Sequence, residues 1–224
     1  AGHPNIATAF ALAQRHDLAT DELLFDEQAG LVPLRLIRAQ GAVTGATLTA
    51  PQTLSTEPGP SSAATAAALS LADGDVLTAT HPPVTASVGL GFLFVELTDK
   101  AALARARVNL PAFDAIRASH AVEAVHLYVK EPAANGARIQ ARNLSPYDGI
   151  GEDPATGSAT ATLASLLAQH DPRADCDFAL EARQGLEMGR PSLLHATARK
   201  RAGNVAPPQV SGTCVQVMEG TLTI

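Results

Sequence analysis

The chain has 224 residues, enough for one large domain or two of modest size. Apolar residues make up 46% and charged ones only 17%, against roughly 25% in an average globular protein, so a core can be filled and wholesale disorder is excluded. A net charge of -6, with 4% aromatics and no Trp, argues against a nucleic-acid partner read by charge or by stacked rings.

Residues 4–15 place Ile6, Ala9, Phe10 and Ala13 at helical spacing behind a tight Gly2-His3 turn, which predicts a helix. Three β-like runs follow at 23–25, 31–37 and 43–50, the last two separated by Gln40-Gly41 as in a hairpin. Pro58-Gly59-Pro60-Ser61 ends this block and offers an N-cap to an alanine-rich helix over 62–71. His81-Pro82-Pro83 then marks a boundary, because two prolines continue neither a helix nor a central strand. It divides the chain into a first half-domain, 1–82, and a second, 83–224. Beyond it the pattern predicts a strand over 84–97, helices at 99–106 (capped by Asp99) and 112–119, and strands over 122–129 and 137–143. A glycine-bounded turn, 149–157, feeds a helix over 158–169 that places Leu163, Leu166 and Leu167 on one face. Short strands are expected at 178–182, 192–198, 210–217 and 221–224. Strand blocks and helices are segregated, which favours an α+β fold with mainly antiparallel sheets.

No apolar run approaches the roughly 18 residues of a membrane span, and no basic, then apolar, leader is visible. Two cysteines, Cys176 and Cys214, are too few for a disulfide framework, so a cytoplasmic protein with free thiols is expected. A weak internal repeat is also present. Shifting Gly2 onto Gly157 superposes Ala9, Leu12, Ala13 and Gln14 on Ala164, Leu167, Ala168 and Gln169, all identical. Both copies read as a glycine turn, a small polar side chain and an amphipathic helix ending in Gln. Two such units would aim two helix N-termini at one cleft.

That geometry carries chemistry. A helix N-terminus bears unpaired N–H groups and the positive end of the dipole, so it binds carboxylates. The segment Gly151-Glu152-Asp153-Pro154-Ala155-Thr156-Gly157-Ser158-Ala159 is the richest candidate, with Gly157 permitting close approach and Asp153 titratable beside it. Its plainer reading is a capped helix start, with Asp153, Thr156 or Ser158 as the cap; His3 reads equally well as a turn histidine. The turn 184–192 is either a loop or a wall of the site with Arg190 as an anion partner. Nucleophile-elbow, P-loop and dinucleotide signatures are absent, and the seven histidines lack metal-ligand spacing.

Gly2-His3-Pro4-x-x-Ala7-Thr8-Ala9, Ser87-Val88-Gly89-Leu90, Glu152-Asp153-Pro154-Ala155-Thr156-Gly157-Ser158-Ala159 and Gln184-Gly185-x-x-Met188-Gly189-Arg190-Pro191-Ser192 together resemble the phenazine-biosynthesis PhzF-like family. The resemblance implies the diaminopimelate-epimerase-like fold: two similar α+β domains, each a mainly antiparallel sheet wrapped round a central helix. It implies a cofactor-independent isomerase, metal-free, that moves a proton on a small carboxylic acid, and usually a homodimer. Carried over by position, His3 and Asp153 are the catalytic groups, and Gly2, Gly157 and Ser158 hold the substrate carboxylate. Thiol-based epimerisation is disfavoured, since Ala1 and Pro154 stand where the epimerase branch places cysteines. Family members also carry a segment ahead of the Gly-His turn with the glutamate that acts as principal base. The chain is accordingly expected to associate with such a segment and to be inactive alone. The contrasting expectation is a non-catalytic small-carboxylate binder that keeps the cleft without the base.

Overall fold

The computed structural model describes residues 2–16, 18, 20–133 and 136–221. The chain opens with α1 (Gly2–Arg15), then β1 (Glu22–Glu27), β2 (Gly30–Ala39), β3 (Ala42–Thr49), β4 (Ser55–Pro58) and α2 (Ser62–Ala68). After a 3-10 turn come β5 (Val76–Leu77), β6 (Val84–Ser87), β7 (Gly91–Leu97), α3 (Lys100–Arg105) and α4 (Leu110–His120). The remainder is β8 (Val125–Glu131), β9 (Ala137–Ser145), β10 (Gly151–Asp153), α5 (Gly157–His170), β11 (Cys176–Gln184), β12 (Ser192–Arg201), β13 (Asn204–Val205) and β14 (Gln209–Thr213).

The fold is α+β, and the described strands join in one continuous ladder, β1-β2-β3-β14-β12-β11-β9-β8-β7-β6-β4. Pairing is antiparallel except for β11 with β9 and β7 with β8. The returning strand β14 lies between β3 and β12, which ties the front of the chain to its end. The Gln40-Gly41 corner takes φ of 52° and 83°, the left-handed pair that a two-residue hairpin needs to match strand twist.

The two helices of the internal repeat are each 14 residues long and coincide residue for residue under the Gly2-to-Gly157 shift. Their surroundings differ. In α1 only Gly2, Ile6 and Ala9 are buried. By contrast α5 is buried on every face from Gly157 to Ala168, apart from the half-buried Ser158, which corrects the expectation of a single apolar stripe. Alanine, threonine and serine fill its non-leucine faces, and such short side chains let a sheet close round a helix. Lys200 secures its far end, donating to the carbonyls of Gln169 (3.0 Å) and Asp171 (2.8 Å). On the outer side α2, α3 and α4 cover a second core built on Leu69, Leu103, Phe113 and Leu127. As expected, Asp99 caps α3, its carboxylate accepting from the Ala102 N–H at 2.7 Å.

Two strand expectations are corrected. The run 84–97 is two strands, because Gly89 takes φ of 135° and turns the chain back on itself. The last β segment stops at Thr213, and residues 214–221 have no regular structure. Of the strand expected at 221–224, residues 222–224 lie outside the described residues. Cys176 is buried at the start of β11, and Cys214 lies just beyond β14; both are free thiols.

Candidate active site

The tips of α1 and α5 meet. A Cβ placed on Gly2 would lie 3.1 Å from the Gly157 Cα, 3.2 Å from its carbonyl carbon and 3.3 Å from the Ser158 nitrogen. Only a glycine at position 2 permits that approach without moving backbone. A cavity of about 330 Å³ opens at this junction, bordered by Gly2, His3, Asp153, Thr156, Gly157 and Ser158. Thr156 is the N-cap of α5, yet its side chain makes no bond to the first turn. The cap hydroxyl instead donates to the Asp153 carboxylate at 2.7 Å. The first turn of α5 therefore carries no side-chain cap and faces the cavity with its N–H groups and positive dipole end.

The strand that delivers Asp153 is clamped from two sides. Gln184, fully buried at the end of β11, donates from Nε2 to the Asp153 carbonyl (2.6 Å) and to Thr156 Oγ1 (2.9 Å). Its Oε1 accepts from the Thr156 N–H at 3.2 Å. Gly185 follows with φ of 79°, and a Cβ there would press on the Pro154 carbonyl at 3.0 Å. On the opposite face of β10, Glu152 takes a two-pronged bond from Arg142, Nε to Oε1 at 2.8 Å and Nη2 to Oε2 at 2.7 Å. Arg142 is 4% exposed, and its Nη1 also donates to the Leu103 and Ala106 carbonyls (2.8 and 2.9 Å), which closes the end of α3.

The back wall is polar. Asn143 and Ser145 on β9 line the cavity, and Asn143 Nδ2 donates to Ser145 Oγ at 3.1 Å. Behind them His126 is fully buried, its Nδ1 3.4 Å from Asn143 Oδ1. Desolvation pushes the His126 pKa down to about 4, against the opposing bond to Asn143 and the nearby Asp153 charge, so the ring is neutral at ordinary pH. The outer rim carries Leu90, Tyr147, Asp148 and Ile150. Arg117 stacks over the Tyr147 ring at 4.8 Å and pairs with Glu123 at 2.9 Å, fixing that side of the mouth.

All five residues expected from the sequence, His3, Asp153, Gly2, Gly157 and Ser158, border this one cavity. His3 is exposed, and its ring makes no hydrogen bond among the described residues; Asp153 and Ser158 are half-buried. Arg190 is exposed and stands outside the lining, so the turn 184–192 serves the site through Gln184 and Gly185. Val88-Gly89-Leu90 borders the neighbouring apolar cleft beside Gly2 and Ser158. Sequence reasoning passed over Arg142, Asn143, Ser145 and His126, and gave Gln184 a place in a motif but no role of its own. The register placing Asp153 opposite Asn143 joins β9 to the site, and it exists only once the strands pair. No group of His, Cys, Asp or Glu among the described residues is arranged to hold a metal ion. No helix there is long and apolar enough to cross a membrane.

The sequence model of the family described as phenazine biosynthesis-like protein matches residues 1–220. The chain is 33% identical over 224 residues to a trans-2,3-dihydro-3-hydroxyanthranilate isomerase of Pseudomonas chlororaphis, covering all of this chain and 74% of that protein. It is 29% identical to an uncharacterized isomerase of Mesorhizobium japonicum, covering 100% and 76% of the two chains. In fold it is similar to the crystal structure of the Bacillus anthracis phenazine biosynthesis protein of the PhzF family, with a TM-score of 0.80, 20% identity, and 100% and 76% coverage. The chain thus spans about three quarters of the length of these relatives. A family match over nearly its whole length, an α+β fold shared with a PhzF-family structure and relatives named as isomerases lead to one conclusion: the chain belongs to the PhzF-like, phenazine biosynthesis-like protein family and is an isomerase.

Proposed function

We propose that the chain isomerises a small carboxylic acid without a cofactor, by removing and returning a proton at a carbon near the carboxylate. The contact between the Gly2 and Gly157 helix tips carries this reading, because it brings two dipole ends to the edge of one cavity. Both tips favour a bound carboxylate, and the same N–H groups stabilise negative charge that grows on the substrate as the proton leaves. Gly2, Gly157 and Ser158 hold the anion. His3 and Asp153 flank it and move the proton, the exposed imidazole exchanging with solvent and the clamped carboxylate working from a fixed position. By the resemblance to its family, a glutamate ahead of the Gly-His turn completes the set as principal base.

The first substrate to try is trans-2,3-dihydro-3-hydroxyanthranilate, named in the relatives. Entry of solvent deuterium into this acid, followed by mass spectrometry with the family's glutamate-bearing segment supplied, reads proton transfer directly. Asp153→Asn and His3→Ala are each expected to slow that exchange by about 100-fold or more without unfolding the chain. Exchange that survives both substitutions overturns the assignment of the two groups. Tight binding of the acid with no exchange in the unaltered protein overturns the proton-transfer reading and leaves a carboxylate binder.

A further inference from the structure

This inference rests on the carboxylate site just proposed and adds a contact which that reading does not use. Across β8, β9 and β10 the registers set His126 opposite Asn143, and Asn143 opposite Asp153. Residues directly opposite share a face of the sheet, so the three polar side chains form a row at the back of the cavity. Ser145 stands two residues along β9 on the same face, opposite Gly151, which has no side chain to cover it. Arg142 and Leu144 alternate to the other face, toward Glu152 and the second core.

The row has a direction. The neutral His126 ring has one N–H, and its Nε2 is buried with no partner among the described residues. A proton on Nδ1 finds the Asn143 carbonyl oxygen, whereas a proton on Nε2 would be an unpaired donor in an apolar interior, the costlier arrangement. With its oxygen so engaged, Asn143 turns its NH₂ to Ser145 Oγ. Ser145 thereby accepts, and its own proton, with no acceptor among the described residues, is left at the cavity wall.

We infer that Ser145 is a specificity-determining donor, aimed by Asn143 and His126 at an acceptor on the substrate away from the carboxylate. The site then prefers carboxylic acids bearing a hydroxyl or carbonyl oxygen over the unsubstituted acid. His126 and Asn143 touch no substrate atom in this scheme and are positioning residues.

Anthranilate and 3-hydroxyanthranilate, which differ by one hydroxyl, test this by calorimetric titration of the full chain. The chain is expected to bind the hydroxylated acid about tenfold more tightly, the scale of one well-made hydrogen bond. Ser145→Ala is expected to bring that ratio near one, Ser145→Thr to restore most of it, and His126→Phe to lower it with Ser145 still present. A loss of fold alone would weaken both acids together and leave the ratio unchanged. A tenfold ratio that persists in Ser145→Ala, or equal binding of the two acids by the unaltered chain, overturns the inference and leaves the carboxylate site standing. Failure of both acids to bind the unaltered chain overturns the carboxylate site and this inference with it.

Discussion

Arg142→Ala is expected to destabilise the chain by about 3–5 kcal/mol, the cost of removing one partner from a buried ion pair. The loss has two parts. Glu152, 17% exposed, is left with no countercharge, and the Leu103 and Ala106 carbonyls lose their donor at the end of α3. Arg142→Lys keeps the charge but not the planar fork, so an intermediate loss is expected. A denaturant titration measures both, as a shift of midpoint at unchanged slope. Because Glu152 neighbours Asp153 on a strand of three residues, carboxylate affinity should fall in parallel. A stable Arg142→Ala protein would mean that β10 is held by its backbone bonds and Gln184 alone.

Gly2→Val should weaken carboxylate binding by about 100-fold, a loss of roughly 2.7 kcal/mol. The nearest atoms to an added Cβ belong to the backbone of Gly157 and Ser158, at 3.1 to 3.3 Å, so the two helix tips must separate to admit it. Separation removes the feature that places both sets of N–H groups on one anion. Position 157 is less crowded, since a Cβ there meets the Gly2 Cα at 3.5 Å, an ordinary contact. Gly157→Ala is therefore expected to fold with little or no loss of stability, while Gly2→Ala loses some; thermal unfolding of the pair checks the asymmetry.

Much of this arrangement is legible in the amino-acid order because it is local. The α5 start reads from Thr156-Gly157-Ser158 and the leucines behind it, and the β2–β3 corner from Gln40-Gly41. The repeated glycine-led helix foretells two tips at one cleft, and the tips touch. What escaped notice has equally specific causes. β4 is exposed at the free end of the ladder, where an edge strand tolerates Pro58 and needs no apolar alternation. Gly89 is hidden inside an apolar run that reads as one strand. Burial of α5 all round is invisible because alanines and threonines mark neither a wet nor a dry face. His126 and Asn143 acquire meaning only through strand pairing, 17 positions apart, and Gln184, part of a legible motif, acquires its role only through its bond to Thr156, 28 positions away. A lone polar residue in a β run gives no such clue in advance.

The most direct test is to follow backbone amides by nitrogen-15 NMR while benzoate is added to the unaltered chain. Were α1 and α5 to share a single anion, the His3, Gly157 and Ser158 signals would shift along one saturating curve with a common dissociation constant. Movement confined to one helix tip, or shifts that never saturate, would contradict a shared carboxylate site.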